Sequence, residues 1–144
     1  MYTFKIANGD LAMRGDGNIT QLSGPQRIEQ ELACWILEPL GTDKMYPGFG
    51  SKLGDYVGSP ALNDYLIEIR AEVVRVVNNY IEYQKKQIER YRSGTIGDFV
   101  NAWNDDDIIR TVNSIDVKTV ADTVSVTVTL TTVAGQGVNI AQVL

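Results

Sequence analysis

The chain has 144 residues, a length that suits one domain with a sizeable core, and its net charge is −5. The absence of any cluster of Lys and Arg side chains argues against nucleic acid as a partner. Histidine is absent and Cys34 is the single cysteine, so a structural zinc site and histidine-dependent nucleophilic catalysis are excluded, and we expect no metal and no cofactor.

Residues 1–22 are predicted to form a short hairpin or arm. Turn signals occur in "NGD" at 8–10 and in "GDGN" at 15–18. The segment lacks the basic and long apolar regions of a signal peptide. No apolar run in the chain is long enough to span a bilayer. We therefore expect an unsecreted protein that is made in a cytoplasm and has no membrane partner.

A first helix is predicted to begin after Ser23, because Ser is a common cap and Pro25 suits a first turn. It should end at Glu38, since the following proline disfavours helical backbone there. Cys34 lies within this helix and is interpreted as a small buried hydrophobic residue. The helix carries an apolar stripe at helical spacing, formed by Ile28, Leu32, Trp35 and Ile36.

The segment 37–53, "LEPLGTDKMYPGFGSKL", combines two prolines and three glycines with several large apolar side chains. It offers neither a nucleophile nor a base of the usual kind, so we interpret it as a rigid packed joint between two helices. The stretch "SKLGDYVGS" that overlaps its end predicts one or two helical turns closed by Gly58. The predicted structural joint consists of Pro39, Gly41, Thr42, Tyr46, Pro47, Phe49, Gly50 and Leu53.

Residues 61–92 are predicted to form the longest helix, which would reach roughly 45–50 Å at 1.5 Å per residue. Its apolar arc is wider than one ordinary contact requires, so part of the helix should project or meet other chains. One heptad seam consists of Leu62, Leu66, Ile69, Val73, Val76, Tyr80 and Tyr83. A second column consists of Ile67, Val74, Ile81 and Ile88. We expect these two columns to form a bundle interface with partner helices.

The C-terminal region 107–144 is predicted to be β structure. Ser93 and Gly94 end the long helix, and 95–103 forms a short connection with two aromatic anchors. Strict alternation of valine or leucine with serine or threonine over 124–131 predicts a strand with one buried face, paired with 109–118 across "TVAD". The pattern predicts an α+β fold in a single domain over 1–144, with a helical core at 23–93.

The terminal segment 138–144 is tethered by Gly-Gln-Gly and is expected to complete the sheet edge of a neighbouring subunit. Self-pairing within the chain, or a frayed end, is the open alternative. The residues expected in this strand contact are Val138, Ile140, Gln142 and Leu144.

Short motifs add little. "RGD" at 14–16 is a common chance match in a turn-rich stretch, and "DGN" at 16–18 lacks the later glycine and glutamate of a calcium loop. "NDDD" at 104–107 is interpreted as a solvated turn before a strand rather than a cation site.

Among the carboxylates near the first helix, Glu31 lies one turn before Trp35, but no spacing fixes a catalytic pair. We interpret Glu29, Glu31, Glu38 and Asp43 as surface charges.

The joint carries a specific pattern: Pro39-x-Gly41-Thr42, followed by Tyr46-Pro47-x-Phe49-Gly50-Ser51-x-Leu53. With Ile28 and Gln30 of the preceding helix, it resembles the baseplate-wedge and sheath-initiator family of contractile tails, found in phages, tailocins and type VI secretion systems. The resemblance is specific over about 21–77 and holds only in kind for the C-terminal part. Many members carry a Glu-Pro-Arg triplet near the end of the second helix, which this chain lacks; Glu82 and Arg90 occur there separately.

The resemblance implies a non-enzymatic virion protein of the tail baseplate, present in six copies around the tail tube. Its implied partners are wedge proteins, whose helices would pack on the long helix, and the first sheath ring, which would join the C-terminal β structure. The family also carries an older lysozyme-like label. One alternative function is therefore a peptidoglycan-degrading enzyme with Glu31 or Glu38 as acid, and another is an unrelated helical adaptor of a cytoplasmic complex.

Overall fold

The structure, a computed structural model, describes residues 1–60, 62–94 and 102–144. Two helices pack on one face of a three-stranded antiparallel sheet, and a small β arm precedes them, which confirms the predicted α+β class. The elements are β1 (Thr3–Phe4), β2 (Ile6–Ala7), β3 (Asp10–Leu11), β4 (Gln21–Leu22), α1 (Gly24–Leu37), α2 (Leu66–Arg92), β5 (Ile109–Val120), β6 (Thr123–Thr132) and β7 (Gly137–Val143).

The N-terminal arm contains two short antiparallel pairs, β1 with β4 and β2 with β3. Asn8 and Gly9 both have positive φ angles, as the predicted "NG" hairpin turn requires. The second predicted turn is also present, since the Arg14 N–H donates to the Asn18 carbonyl at 2.6 Å. The Gln30 side chain holds the arm against α1 through the Ile6 N–H and the Phe4 carbonyl, each at 2.8 Å.

The bounds of α1 agree with the sequence prediction. Ser23 is the capping residue, but its side chain makes no capping hydrogen bond. The first N–H of the helix, that of Gly24, donates instead to Asp107 Oδ1 at 2.8 Å. At the other end Glu38 is extended, with ψ of 134°, because Pro39 disfavours helical backbone before it.

Between the helices the chain forms only short 3-10 turns, at Leu53–Asp55 and Leu62–Tyr65. The predicted short helix is thus a single turn. The predicted long helix begins its α-helical part at Leu66 rather than at 61, and Ala61 lies outside the described residues. Ser93 caps α2, as expected.

The predicted projection of the long helix is wrong, and five of the residues predicted for its bundle interface are buried in this chain's own core. With 27 residues α2 is about 40 Å long, and buried positions recur along it as far as Ile88. The first seam faces this chain's own core because both the sheet and α1 pack against that side of the helix. The seam residues buried in the core are Leu62, Ile69, Val73, Val76 and Tyr80.

The sheet has the order β5-β6-β7, with α1 packed mainly on β7 and α2 on β5. The alternation predicted for β6 is confirmed: Val124, Val126, Val128 and Leu130 are fully buried. The turn joining β5 to β6 lies within the predicted "TVAD", at 121–122.

The expectation that the terminal strand lacks a partner in its own chain is wrong. All seven residues of β7 pair with β6, from Gly137 opposite Thr131 to Val143 opposite Ser125. The turn at 133–136 is long enough to reverse the chain, and Val138 and Ile140 complete the buried face of the sheet.

The expected connection at 95–103 falls mostly on residues outside the described ranges, Phe99 among them, whereas the second anchor, Trp103, is described. Within the described residues, no helix combines the length and the apolar character needed to cross a membrane.

Candidate assembly surfaces

The joint is closed by backbone contacts between its two ends. Pro39 and Ser51 form a parallel bridge, in which the Ser51 N–H donates to the Glu38 carbonyl at 2.7 Å and the Leu40 N–H to the Ser51 carbonyl at 2.9 Å. The Ser51 hydroxyl donates to the last turn of α1, at the Ile36 carbonyl, 2.5 Å away. The loop therefore returns to the helix that it leaves.

Polar side chains of α2 hold the same loop. Glu72 accepts a hydrogen bond from the Lys52 N–H at 2.8 Å, and Arg75 donates to the Gly50 carbonyl at 3.1 Å. Arg75 also bonds both oxygens of Glu72, at 2.6 and 2.8 Å. The Arg75 hydrogen bond is the main reason that the pKa of Glu72 lies below its ordinary value. The joint is thus fixed to both helices.

Aromatic rings of the joint pack on Trp35, which is itself nearly buried. The ring centroids of Phe49 and Tyr46 lie 4.9 and 5.7 Å from that of Trp35, in edge-to-face geometry. From α2, Tyr80 and Tyr83 approach it at 5.9 and 5.7 Å. Of the residues predicted for the joint, Tyr46 and Phe49 thus pack against the helices, and Leu53 is fully buried in the core.

The remaining predicted joint residues shape the turn from its exposed side. Pro39, Gly41, Thr42 and Pro47 are exposed. The Thr42 hydroxyl lies 2.9 Å from both the Pro39 carbonyl and the Glu38 carboxylate. These four residues shape the backbone of the turn, whereas Tyr46 and Phe49 make the packing contacts.

A cleft of about 280 Å³ opens beside the aromatic cluster. Its lining includes Glu31 and Cys34 of α1 and Asp43 of the joint. Cys34 is half-buried rather than a core residue, and burial raises the pKa of its thiol. Glu38, the other proposed acid, does not line the cleft.

The sequence pattern indicated that Glu31 is a surface charge. In the structure its carboxylate is instead hydrogen-bonded on both oxygens. Arg27 bonds its two oxygens at 2.7 and 2.8 Å, and the Tyr80 hydroxyl donates to it at 2.8 Å. Burial is the first cause that raises the pKa of Tyr80 well above its ordinary value, and the negative charge of Glu31 adds to it. Arg27 therefore pairs with both oxygens within α1, and Oε2 also joins α1 to Tyr80 of α2.

Sequence reasoning missed a buried charge network at the start of α1. Arg27 and Asp107 are each 1% exposed, so "NDDD" is not a fully solvated turn. The Asp107 carbonyl accepts from Arg27 at 3.0 Å and from Gln84 at 2.9 Å. The Arg27 guanidinium also lies over the Trp103 ring, 4.7 Å from its centroid.

The Asp107 carboxylate is the centre of this network. Burial disfavours its charge, but hydrogen bonds from the Met1 amino group (2.9 Å), Gly24 N–H and Asn104 N–H outweigh burial, with the Arg27 charge adding to them. The pKa of Asp107 therefore lies below its ordinary value. The spacing Asn104-x-x-Asp107 resembles a capping box, a sequence signal that could have revealed the bond to Asn104 but not the distant partners.

The exposed part of the predicted bundle interface is small. Ile67 is 84% exposed, and Leu66 and Val74 remain accessible beside it. Ile81 and Tyr83 are partly buried against the core. A contact with partner helices would therefore involve the N-terminal half of α2 only.

The arm is the larger exposed apolar region. Phe4, Met13 and Ile19 line a groove of about 610 Å³ on its outer side. The large apolar side chains exposed on the arm are Tyr2, Phe4, Ile6, Leu11, Met13 and Ile19. Isolated exposed apolar residues are common, but six occur within these 22 residues and three of them line one groove, a concentration that is typical of interaction surfaces.

The open edge of β7 is defined by its pairing. Leu144 and Val124 exchange two backbone hydrogen bonds, at 2.8 and 3.0 Å. The backbone N–H and C=O groups of successive strand residues alternate in direction. Those of Val138, Ile140 and Gln142 therefore also point toward β6. The residues that direct their N–H and C=O groups to the open edge are Gly137, Asn139, Ala141 and Val143.

The two edges of the sheet differ. The β5 edge has register shifts between Ile109 and Thr111 and between Val112 and Ser114, and it carries Arg110, Asp116 and Lys118. The β7 edge has an unbroken register and neither a charged residue nor a proline. Bulges, charges and prolines are the usual devices that prevent edge pairing, so β7 lacks those devices and β5 has two of them.

Comparison of the chain with protein-family models, with curated proteins and with solved structures found no match in any of the three.

Proposed function

We propose that the chain is a non-enzymatic structural component of a contractile-tail baseplate, which joins the wedge proteins and starts assembly of the tail sheath through its C-terminal sheet. The proposal places it in the virion baseplate in six copies. It is supported by the resemblance of residues 37–53 to the baseplate-wedge and sheath-initiator family. The structural observation that carries it is the regular, uncharged open edge of β7.

The β7 edge suits strand addition. Four residues along β7 direct backbone groups outward, and no hydrogen bond between described residues uses them. A strand from a sheath subunit could pair there through main-chain bonds, with selectivity from alternate side chains. The side chains of Val138 and Ile140 are committed to the core, so the contact would use the backbone of β7 and the side chains of its outer face.

The wedge contact would use the surfaces that remain exposed. The exposed residues Leu66, Ile67 and Val74 of α2 are the part of the predicted bundle interface that partner helices can still reach. The apolar face of the arm gives a second surface, for wedge helices or the tail tube. The rigid joint would keep α1 and α2 at a fixed angle under load.

The alternative is a peptidoglycan-degrading enzyme, and one observation favours it: Glu31 and Asp43 line the same cleft. Against it, Arg27 and Tyr80 bond both oxygens of Glu31. A turbidity assay on purified cell walls distinguishes the two functions. Lysis that is lost in Glu31→Gln but retained in Glu29→Gln would overturn the structural proposal.

The edge is tested by Ala141→Pro, which removes an outward N–H without touching the bonds to β6. We expect this variant to fold and to enter baseplates but to fail to start sheath, as seen by electron microscopy of particles from the complemented host. Ala141→Thr, which keeps the N–H, is the matched control and should give normal sheath. Normal sheath on Ala141→Pro particles would contradict the proposed role of β7.

A further inference from the structure

We infer that the cleft beside Trp35 binds the guanidinium group of an arginine side chain presented by a partner protein. The cleft combines aromatic rings with two carboxylates, and no basic side chain of the described residues lines it. The lining residues that matter for recognition are Glu31, Trp35, Asp43, Tyr46, Phe49 and Tyr83. The inference goes beyond the assembly function and does not depend on which assembly the chain enters.

The aromatic wall is held rigidly. Tyr46 and Tyr83 pack edge to face at 5.1 Å, and both rings also contact Trp35. Tyr46, Phe49 and Tyr83 are only partly buried, so ring surface reaches the cleft. A guanidinium stacks on such surface and is more weakly hydrated than an ammonium, which favours arginine over lysine.

The charge on the cleft is negative. Asp43 Oδ1 accepts hydrogen bonds from the Met45 and Tyr46 N–H groups, at 2.8 and 3.1 Å. Within the described ranges, no Lys or Arg forms an ion pair with Asp43. Glu31 already has Arg27 as its partner. One carboxylate charge in the cleft is therefore left for a ligand to neutralise.

The chain contains an internal example of the same recognition. Arg27 lies over the Trp103 ring at 4.7 Å and pairs with Glu31 at 2.7 Å. The cleft offers the equivalent combination of ring and carboxylate to a side chain arriving from solvent. Its volume of about 280 Å³ lies below the range of drug-sized sites and suits a head group with part of its stem.

The test is a titration of the full chain with N-acetyl-arginine amide, followed by the indole N–H resonances in two-dimensional NMR. Trp103→Phe assigns the two indole signals. We expect a saturable shift of the Trp35 signal with the arginine derivative and a weaker one with the lysine derivative. N-acetyl-citrulline amide has the same shape without the charge and should give no saturable shift. Equal binding of the citrulline or the lysine derivative would overturn the inference.

Asp43→Asn removes the charge and retains an oxygen that can accept the turn hydrogen bonds, so the joint should stay folded. We expect it to weaken binding of N-acetyl-arginine amide about tenfold. Asp16→Asn is the matched control, because Asp16 accepts a similar turn hydrogen bond from the Asn18 N–H at 3.0 Å, in the arm. Affinity unchanged in Asp43→Asn, or lowered equally in Asp16→Asn, would place the ligand elsewhere.

Discussion

The carbonyl oxygen of Glu38 lies 2.6 Å from the position that a Cβ atom would take on Gly50, and the carbonyl oxygen of Pro39 lies 2.8 Å from it. Gly50 also has a φ angle of +97°, a conformation that L side chains rarely adopt. The chain closes the joint at the one place where only glycine allows the two backbone segments to meet.

We therefore expect Gly50→Ala to lower the free energy of unfolding by about 2 kcal/mol or more, because the methyl group would meet backbone rather than a movable side chain. Urea denaturation followed by circular dichroism measures the change. Gly54→Ala is the control, since nothing lies within 4 Å of its added Cβ. An equal effect at both positions would mean that the joint is not closed at Gly50.

Phe49→Ala should destabilise the protein by about 2–3 kcal/mol, less than the roughly 3–5 kcal/mol typical of a fully buried phenylalanine, because the ring is only partly buried. The loss comes from its packing on Trp35, 4.9 Å away. Met45→Ala in the same loop should leave the melting curve unchanged, since Met45 is 92% exposed. Identical melting temperatures for the wild type and Phe49→Ala would show that the ring does not contribute to the joint.

Asp107 predicts a pH dependence with a definite sign. Its pKa is lowered in the folded state, so the stability that it contributes is complete above the unfolded value of about 3.9 and is lost as pH falls through the lower folded value. Asp107→Asn should remove about 3 kcal/mol at neutral pH and should reduce the loss of stability below pH 4, without abolishing it, because the pKa of Glu72 is lowered as well.

Equilibrium unfolding of the wild type and Asp107→Asn across the acid range tests this. Asp116→Asn, on the exposed face of β5, is the control and should follow the wild type at every pH. If the free energy of unfolding fell equally with pH in the wild type and in Asp107→Asn, the proposed contribution of Asp107 would be contradicted.

The turn between β5 and β6 carries avoidable strain. Ala121 has a φ angle of +55°, which costs a residue with a Cβ roughly 1 kcal/mol. Ala121→Gly should therefore raise the free energy of unfolding by up to about 1 kcal/mol. Ala134→Gly, in the next turn of the sheet, should lower the free energy of unfolding slightly, because the φ angle of Ala134 is not positive. Thermal unfolding of the two variants should shift in opposite directions.

The sequence predicted the local features of the fold well because each has a local physical cause. Proline stops α1 at Glu38, "NG" turns the arm, and alternation defines β6. The ends of the elements follow from the backbone restrictions of single residues. These constraints act within a few positions of the chain.

Features that depend on distant contacts were not predictable. A heptad seam shows that Ile69 and Val73 are buried but not which chain covers them, and here the sheet and α1 do so. The same ambiguity applied to β7, whose pattern fits pairing within the chain or outside it. Asp107 was missed because its partners, Gly24 and Arg27, lie 83 and 80 positions away in sequence.

The contrast between the β5 and β7 edges gives the sheet a direction. If a strand adds to the sheet as proposed, we expect it to add at β7, because the register shifts and charges along β5 disfavour edge pairing there. In the proposed assembly, a unit of this kind would stand at the start of a β ribbon rather than in its middle. In the proposed assembly, such a one-sided terminus would set where the sheath begins and would keep it from extending backwards.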